Sequence, residues 1–109
     1  MSDASFERRR AIRVAVVIPI EVSDARGFSL HSSSDLSIGG VYFDRAIPHP
    51  VGSQVQLKFS LPGDSHAVKC AGEVVNVPNA QQYGMGVRFV NLSPADEALL
   101  VKFIGEEQP

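Results

Sequence analysis

Gln54-Val55-Gln56-Leu57-Lys58-Phe59-Ser60-Leu61 alternates polar and apolar side chains from end to end. Successive side chains of an extended chain point to opposite faces, so this stretch predicts a strand with one face in a core and the other in water. Turn chemistry bounds it on both sides: Ile47-Pro48-His49-Pro50-Val51-Gly52 precedes it and Pro62-Gly63-Asp64 comes after. Downstream the period continues from Ala67 to Val77, where Val68 and Cys70 oppose Lys69 and Gly72 predicts a bend. Pro78-Asn79-Ala80-Gln81-Gln82 then turns the chain into Tyr83 to Val90, in which Met85, Val87 and Phe89 share the face opposite Gly84, Gly86 and Arg88. Upstream, Val14, Val16, Ile18, Ile20 and Val22 form one apolar face, with Pro19 marking an edge or a bulge because it has no N–H to donate. Ser23-Asp24-Ala25-Arg26-Gly27 turns that strand into a second, in which Phe28 and Leu30 alternate with Ser29 and His31. Val41-Tyr42-Phe43 supplies the sixth strand.

The period changes only once. Ser93-Pro94 reads as an N-cap with proline in the first helical position, and Asp96 and Glu97 sit where the helix dipole favours acids. Leu99, Leu100, Phe103 and Ile104 make one apolar stripe, and Gly105 is the expected stop. The expectation is therefore a mainly β fold: a six-stranded antiparallel barrel, closed or nearly so, with a short C-terminal α-helix. Residues 1–7 read as a flexible N-terminal tail, 8–105 as a single domain and 106–109 as a C-terminal tail.

A chain of 109 residues with 44% hydrophobic and 20% charged residues suits one domain that buries about 65% of its surface without staples. Its single cysteine, Cys70, supplies neither a disulfide nor a zinc site. The longest apolar run, Val14 to Ile20, is far too short for a membrane span, and MSDASFERRR is no signal peptide, so a cytoplasmic protein without membrane insertion is expected. A net charge of −2 argues against binding long nucleic acid. Yet Arg8, Arg9, Arg10 and Arg13 are gathered in one short window, a local positive charge that suits a small anion.

Two constellations carry candidate chemistry. Guanidinium groups are permanently charged, planar and forked, so a cluster of them asks for an anion or for carboxylates. Asp35-Leu36-Ser37-Ile38-Gly39-Gly40 reads by itself as a turn, with Asp35 and Ser37 bonding nearby backbone. Together, an Arg-x-x-x-Arg pair (Arg9, Arg13) before the first strand and an Asp-x-Ser-x-x-Gly segment (Asp35, Ser37, Gly40) after the second resemble the PilZ domain family. The resemblance extends through Gly84-Met85-Gly86-Val87-Arg88-Phe89 to Ser93-Pro94 and covers residues 7–104. It implies a barrel that binds the bacterial second messenger cyclic di-GMP.

That ligand presents two phosphates and two guanines. Arg9 and Arg13 match phosphate oxygens, the guanine O6 and N7 acceptors or the purine face. Ionised Asp35 accepts from the guanine N1 and N2 donors, Ser37 adds a hydroxyl, and Gly40 takes a side chain out of the contact surface. By resemblance to relatives with an arginine just before the pair, Arg8 implies room for a stacked ligand dimer. Ligand-driven folding of the N-terminal arm is the expected output, passed to an unidentified downstream protein. The alternative is a PilZ-like protein–protein adaptor that binds no nucleotide. An enzyme is not expected and no cofactor is implied: His31, His49 and His66 have no neighbouring ligand set, and Cys70 alternates with Val68 as a buried apolar residue would.

Overall fold

The structure, a computed structural model, describes residues 12–45, 49–76 and 84–107. The expected tail at 1–7, Arg8, Arg9 and Arg10, the turn at 78–82 and the last two residues lie outside the described residues. The strands are β1 (Val14–Ala15), β2 (Pro19–Asp24), β3 (Gly27–Ser32), β4 (Asp35–Leu36), β5 (Gly40–Phe43), β6 (Gln54–Ser60), β7 (Ala67–Asn76) and β8 (Met85–Val90), and helix α1 spans Pro94–Glu107. One sheet holds all eight in the order β1-β4-β5-β8-β7-β6-β2-β3. Every pairing is antiparallel.

Among the described residues eight segments stand where six strands are expected, because the first expected strand is interrupted and Asp35–Leu36, expected in a turn, pairs as a short strand of its own. β1 and β2 are successive halves of one hairpin arm, and β3 and β4 are successive halves of the other. The breaks face each other, at residues 16–18 and 33–34. Ser33 stitches them: its N–H donates to the Ile18 carbonyl at 3.0 Å, while its Oγ accepts from the Ile18 N–H at 3.1 Å and donates to the Val16 carbonyl. β2 pairs with β6 and β4 pairs with β5, so the two arms join opposite sides of the remaining strands. The sheet therefore curls into a half-barrel around its apolar face.

The alternation read from the sequence places that face correctly. Val55, Leu57 and Phe59 of β6, Ile20 and Val22 of β2, and Met85, Val87 and Phe89 of β8 are all buried, with Phe59 and Phe89 stacked at 6.0 Å between ring centroids. Leu100, Phe103 and Ile104 of α1 join the same core. The helix is capped as expected, with the Asp96 N–H donating to Ser93 Oγ at 3.1 Å. Asp96 itself is buried and accepts from His66 Nε2 at 3.0 Å, which ties the β6–β7 loop to the start of the helix.

Three further expectations need correction. The helix does not stop at Gly105 but continues to Glu107. A glycine ends a helix by turning left-handed, and Gly105 is not among the glycines with positive φ. The domain's last element thus runs past residue 105. Gly72 makes room rather than a bend: a Cβ there would lie 2.6 Å from Val87 Cγ1, and the irregularity in β7 falls at Val74–Asn76 instead. In β3, pairing of Val22 with Ser29 turns Phe28 and Leu30 to the outer face, where they are 72% and 66% exposed.

Candidate ligand-binding face

Register decides which side chains meet on the outside of the curled sheet. Asp35 of β4 lies opposite Tyr42 of β5, and Tyr42 lies opposite Gly86 of β8. Two residues along, Gly40 lies opposite Arg88 of β8, which in turn faces Glu73 of β7. The intervening row, Leu36, Val41, Val87 and Val74, points into the core. Strand pleating thus lines up Asp35, Tyr42, Arg88 and Glu73 on one surface, with glycines between them.

Arg13, immediately before β1, is brought to this surface because Ala15 pairs with Asp35. Its Nη1 donates to Asp35 Oδ1 at 2.9 Å, with the two side chains 57% and 30% exposed. The predicted arginine and the predicted carboxylate are therefore neighbours although 22 residues separate them in the chain. Arg8 and Arg9, the other predicted arginine contacts, lie outside the described residues.

The Ser37–Gly40 turn is built by local bonds. Ser37 Oγ accepts from the N–H groups of Gly39 and Gly40 at 3.2 and 3.1 Å, and the Ser37 N–H donates to the Gly40 carbonyl at 2.9 Å. Ser37 is buried, so its hydroxyl shapes the loop from beneath. Leu36 and Ile38 anchor the same loop in the core on either side. At Gly40 an added Cβ would lie 2.3 Å from the Val87 carbonyl oxygen. That contact is with backbone of the adjacent strand, so glycine is what allows β5 to lie against β8 here.

Arg13, Ser37, Gly40, Tyr42, Val75 and Arg88, among others, line a cleft of about 270 Å³, with Asp35 and Glu73 held beside it by their arginine partners. Sequence reasoning assigned no ligand role to Tyr42, Val75 or Arg88. The available signal was the outward position of Arg88 between buried Val87 and Phe89, but only the β5–β8–β7 pairing shows that it faces the motif residues. A larger cleft of about 540 Å³, between Val17, Leu30, Asp44 and Arg45, holds none of the described motif residues Arg13, Asp35, Ser37 and Gly40.

The PilZ domain model matches residues 7–106. This chain belongs to the PilZ domain family. No curated protein matches the sequence. Among solved structures it is similar to the Escherichia coli YcgR PilZ domain with c-di-GMP, at 20% identity and a TM-score of 0.68, over 92% of this chain and 91% of that one. It is also similar to the Bacillus subtilis inhibitor of motility MotI/DgrA, at 17% identity and a TM-score of 0.75, over 87% of this chain but 48% of that one. A third likeness is the PilZ domain of CeSA from a cellulose-synthesizing bacterium, at 19% identity and a TM-score of 0.65, over 90% of this chain and 100% of that one. This PilZ chain spans about half the length of MotI/DgrA. At these identities the likeness establishes the fold.

Among the described residues there is no group of three or more His, Cys, Asp or Glu side chains that could hold a metal ion. Cys70 is buried, and burial pushes its thiol up to about 11, away from thiolate reactivity. No described helix is long and apolar enough to cross a membrane.

Proposed function

We propose that this PilZ domain is a receptor for cyclic di-GMP, without catalytic activity, that passes the signal to a downstream protein in the cytoplasm. The observation that carries the reading is Arg13, paired with Asp35, beside the Ser37–Gly40 turn on an open glycine-floored cleft. A forked cation and an acceptor-only carboxylate are the complements of a phosphate or guanine O6/N7 edge and of the guanine N1/N2 edge, respectively. With no ligand, the two satisfy each other across an exposed contact that is easily exchanged. Arg13 grips ligand, Asp35 reads a base edge, Gly40 keeps the floor open, and Ser37 holds the turn in shape. Arg9, the first arginine of the pair, supplies the second grip, and Arg8 a further cation for a second, stacked ligand molecule. Ligand draws the N-terminal arm that bears them onto the cleft, and the rearranged arm is the surface the downstream protein reads. No cofactor enters this scheme.

Titration of isotopically labelled protein with cyclic di-GMP, monitored by amide chemical shifts, tests the reading. The largest changes are expected at Gly39, Gly40, Tyr42 and Arg88. Saturable changes confined to another face would overturn the site, and no saturable change would overturn the receptor reading and leave the nucleotide-free adaptor.

A further inference from the structure

The cleft is bordered by a second arginine, Arg88, paired with a carboxylate and lying outside the Arg-x-x-x-Arg and Asp-x-Ser-x-x-Gly segments. Arg88 Nη2 donates to Glu73 Oε1 across β8 and β7, and its side chain is as exposed as that of Arg13. The two arginines border the same cleft, with Gly40 and Gly86 in its floor and Tyr42 and Val75 as its larger uncharged walls. Val75 is 47% exposed, an apolar surface that suits the flat side of a purine.

We propose that Arg88 reads the second guanine of the ligand, donating its fork to O6 and N7, while Glu73 positions the guanidinium. This rests on the receptor reading above. Cyclic di-GMP has two guanines, and Asp35 supplies acceptors for the N1/N2 edge of one. The other guanine offers its O6/N7 acceptor edge to a forked donor, and bidentate arginine is the commonest partner for that edge. Arg88 is held on the cleft by one exposed ion pair, which yields readily to a ligand. Adenine has an amino group in place of O6, so a reader at Arg88 discriminates between the two bases.

The test compares affinities for cyclic di-GMP and 3′,3′-cyclic GMP-AMP, which carries one guanine and one adenine, in the wild-type chain, Arg88→Ala, Arg88→Lys and Arg13→Ala. The wild type is expected to prefer cyclic di-GMP by about tenfold or more. Arg88→Ala is expected to lose that preference, weakening the two-guanine ligand while leaving the mixed one nearly unchanged. Arg88→Lys keeps the charge but not the fork, and is expected to lose the preference as well. Arg13→Ala is expected to weaken both ligands. Equal weakening of both ligands by Arg88→Ala, or an unchanged preference, would overturn the assignment while leaving the receptor reading intact. A wild type that binds neither ligand would overturn both.

Discussion

Replacing Arg13 with alanine separates a binding role from a structural one. In the ligand-free protein Arg13 meets Asp35 at 2.9 Å, with side chains 57% and 30% exposed. A pair in that setting contributes about 0–1 kcal/mol, because water screens both partners and ordering a long side chain offsets part of the gain. Its loss should lower the thermal midpoint by no more than a few degrees for a domain of this size. The bound state is different: a charge-assisted, bidentate grip on phosphate or guanine is worth on the order of 2–4 kcal/mol, or about 30- to 1,000-fold in affinity. Thermal unfolding and calorimetric titration with cyclic di-GMP, run on Arg13→Ala and Asp35→Ala, measure the two terms. The expected result is near-native stability with affinity reduced at least about 30-fold in each variant. A drop of more than about ten degrees with affinity within about threefold of wild type would refute the reasoning, since it would make the pair a structural clasp.

Other substitutions and conditions probe the rest of the account. Gly40→Ala drives a Cβ to 2.3 Å from the Val87 carbonyl, so it is expected to lower the thermal midpoint clearly and to abolish binding; unchanged melting would show that β5 and β8 can part without loss. Ser33→Ala leaves the Ile18 N–H and the Val16 carbonyl without their hydroxyl partner, and denaturant unfolding should show a loss of about 1–3 kcal/mol. Burial holds His31 below its usual range, so the unfolded chain takes up that proton more readily. The stabilisation from neutral His31 is present above about pH 6.5 and is lost as pH falls below it, and His31→Phe should flatten that part of the stability–pH curve.

Much of the fold was legible because most strands have one dry face, β3 being the exception with no buried residue. The period of Gln54–Leu61 predicted β6 and its buried side, and the Ser93-Pro94 cap predicted the start of α1. The limits were non-local. Ser33 is one of three consecutive serines, and nothing in a row of identical residues says which one will stitch a break in the opposite arm. Gly105 looks like a helix stop, but whether a glycine turns left-handed depends on the residues after it and on their packing. Phe28 and Leu30 alternate just as core residues do, and pairing alone turns them outward.

The site divides in the same way. Asp35, Ser37 and Gly40 were legible as a motif, and the structure supplies their division of labour: Asp35 outward to Arg13, Ser37 inward to its own turn, Gly40 against Val87. Arg88, Tyr42 and Val75 reach the same cleft through pairings between strands far apart in sequence, which no short motif records.

The measurement that bears most directly on the central claim is calorimetric titration of the chain with cyclic di-GMP at moderate salt, with GTP and cyclic AMP as controls. The account predicts saturable binding selective for cyclic di-GMP that weakens as salt rises, as contacts to phosphates require. No binding up to about 100 μM, roughly −5.5 kcal/mol, would contradict it.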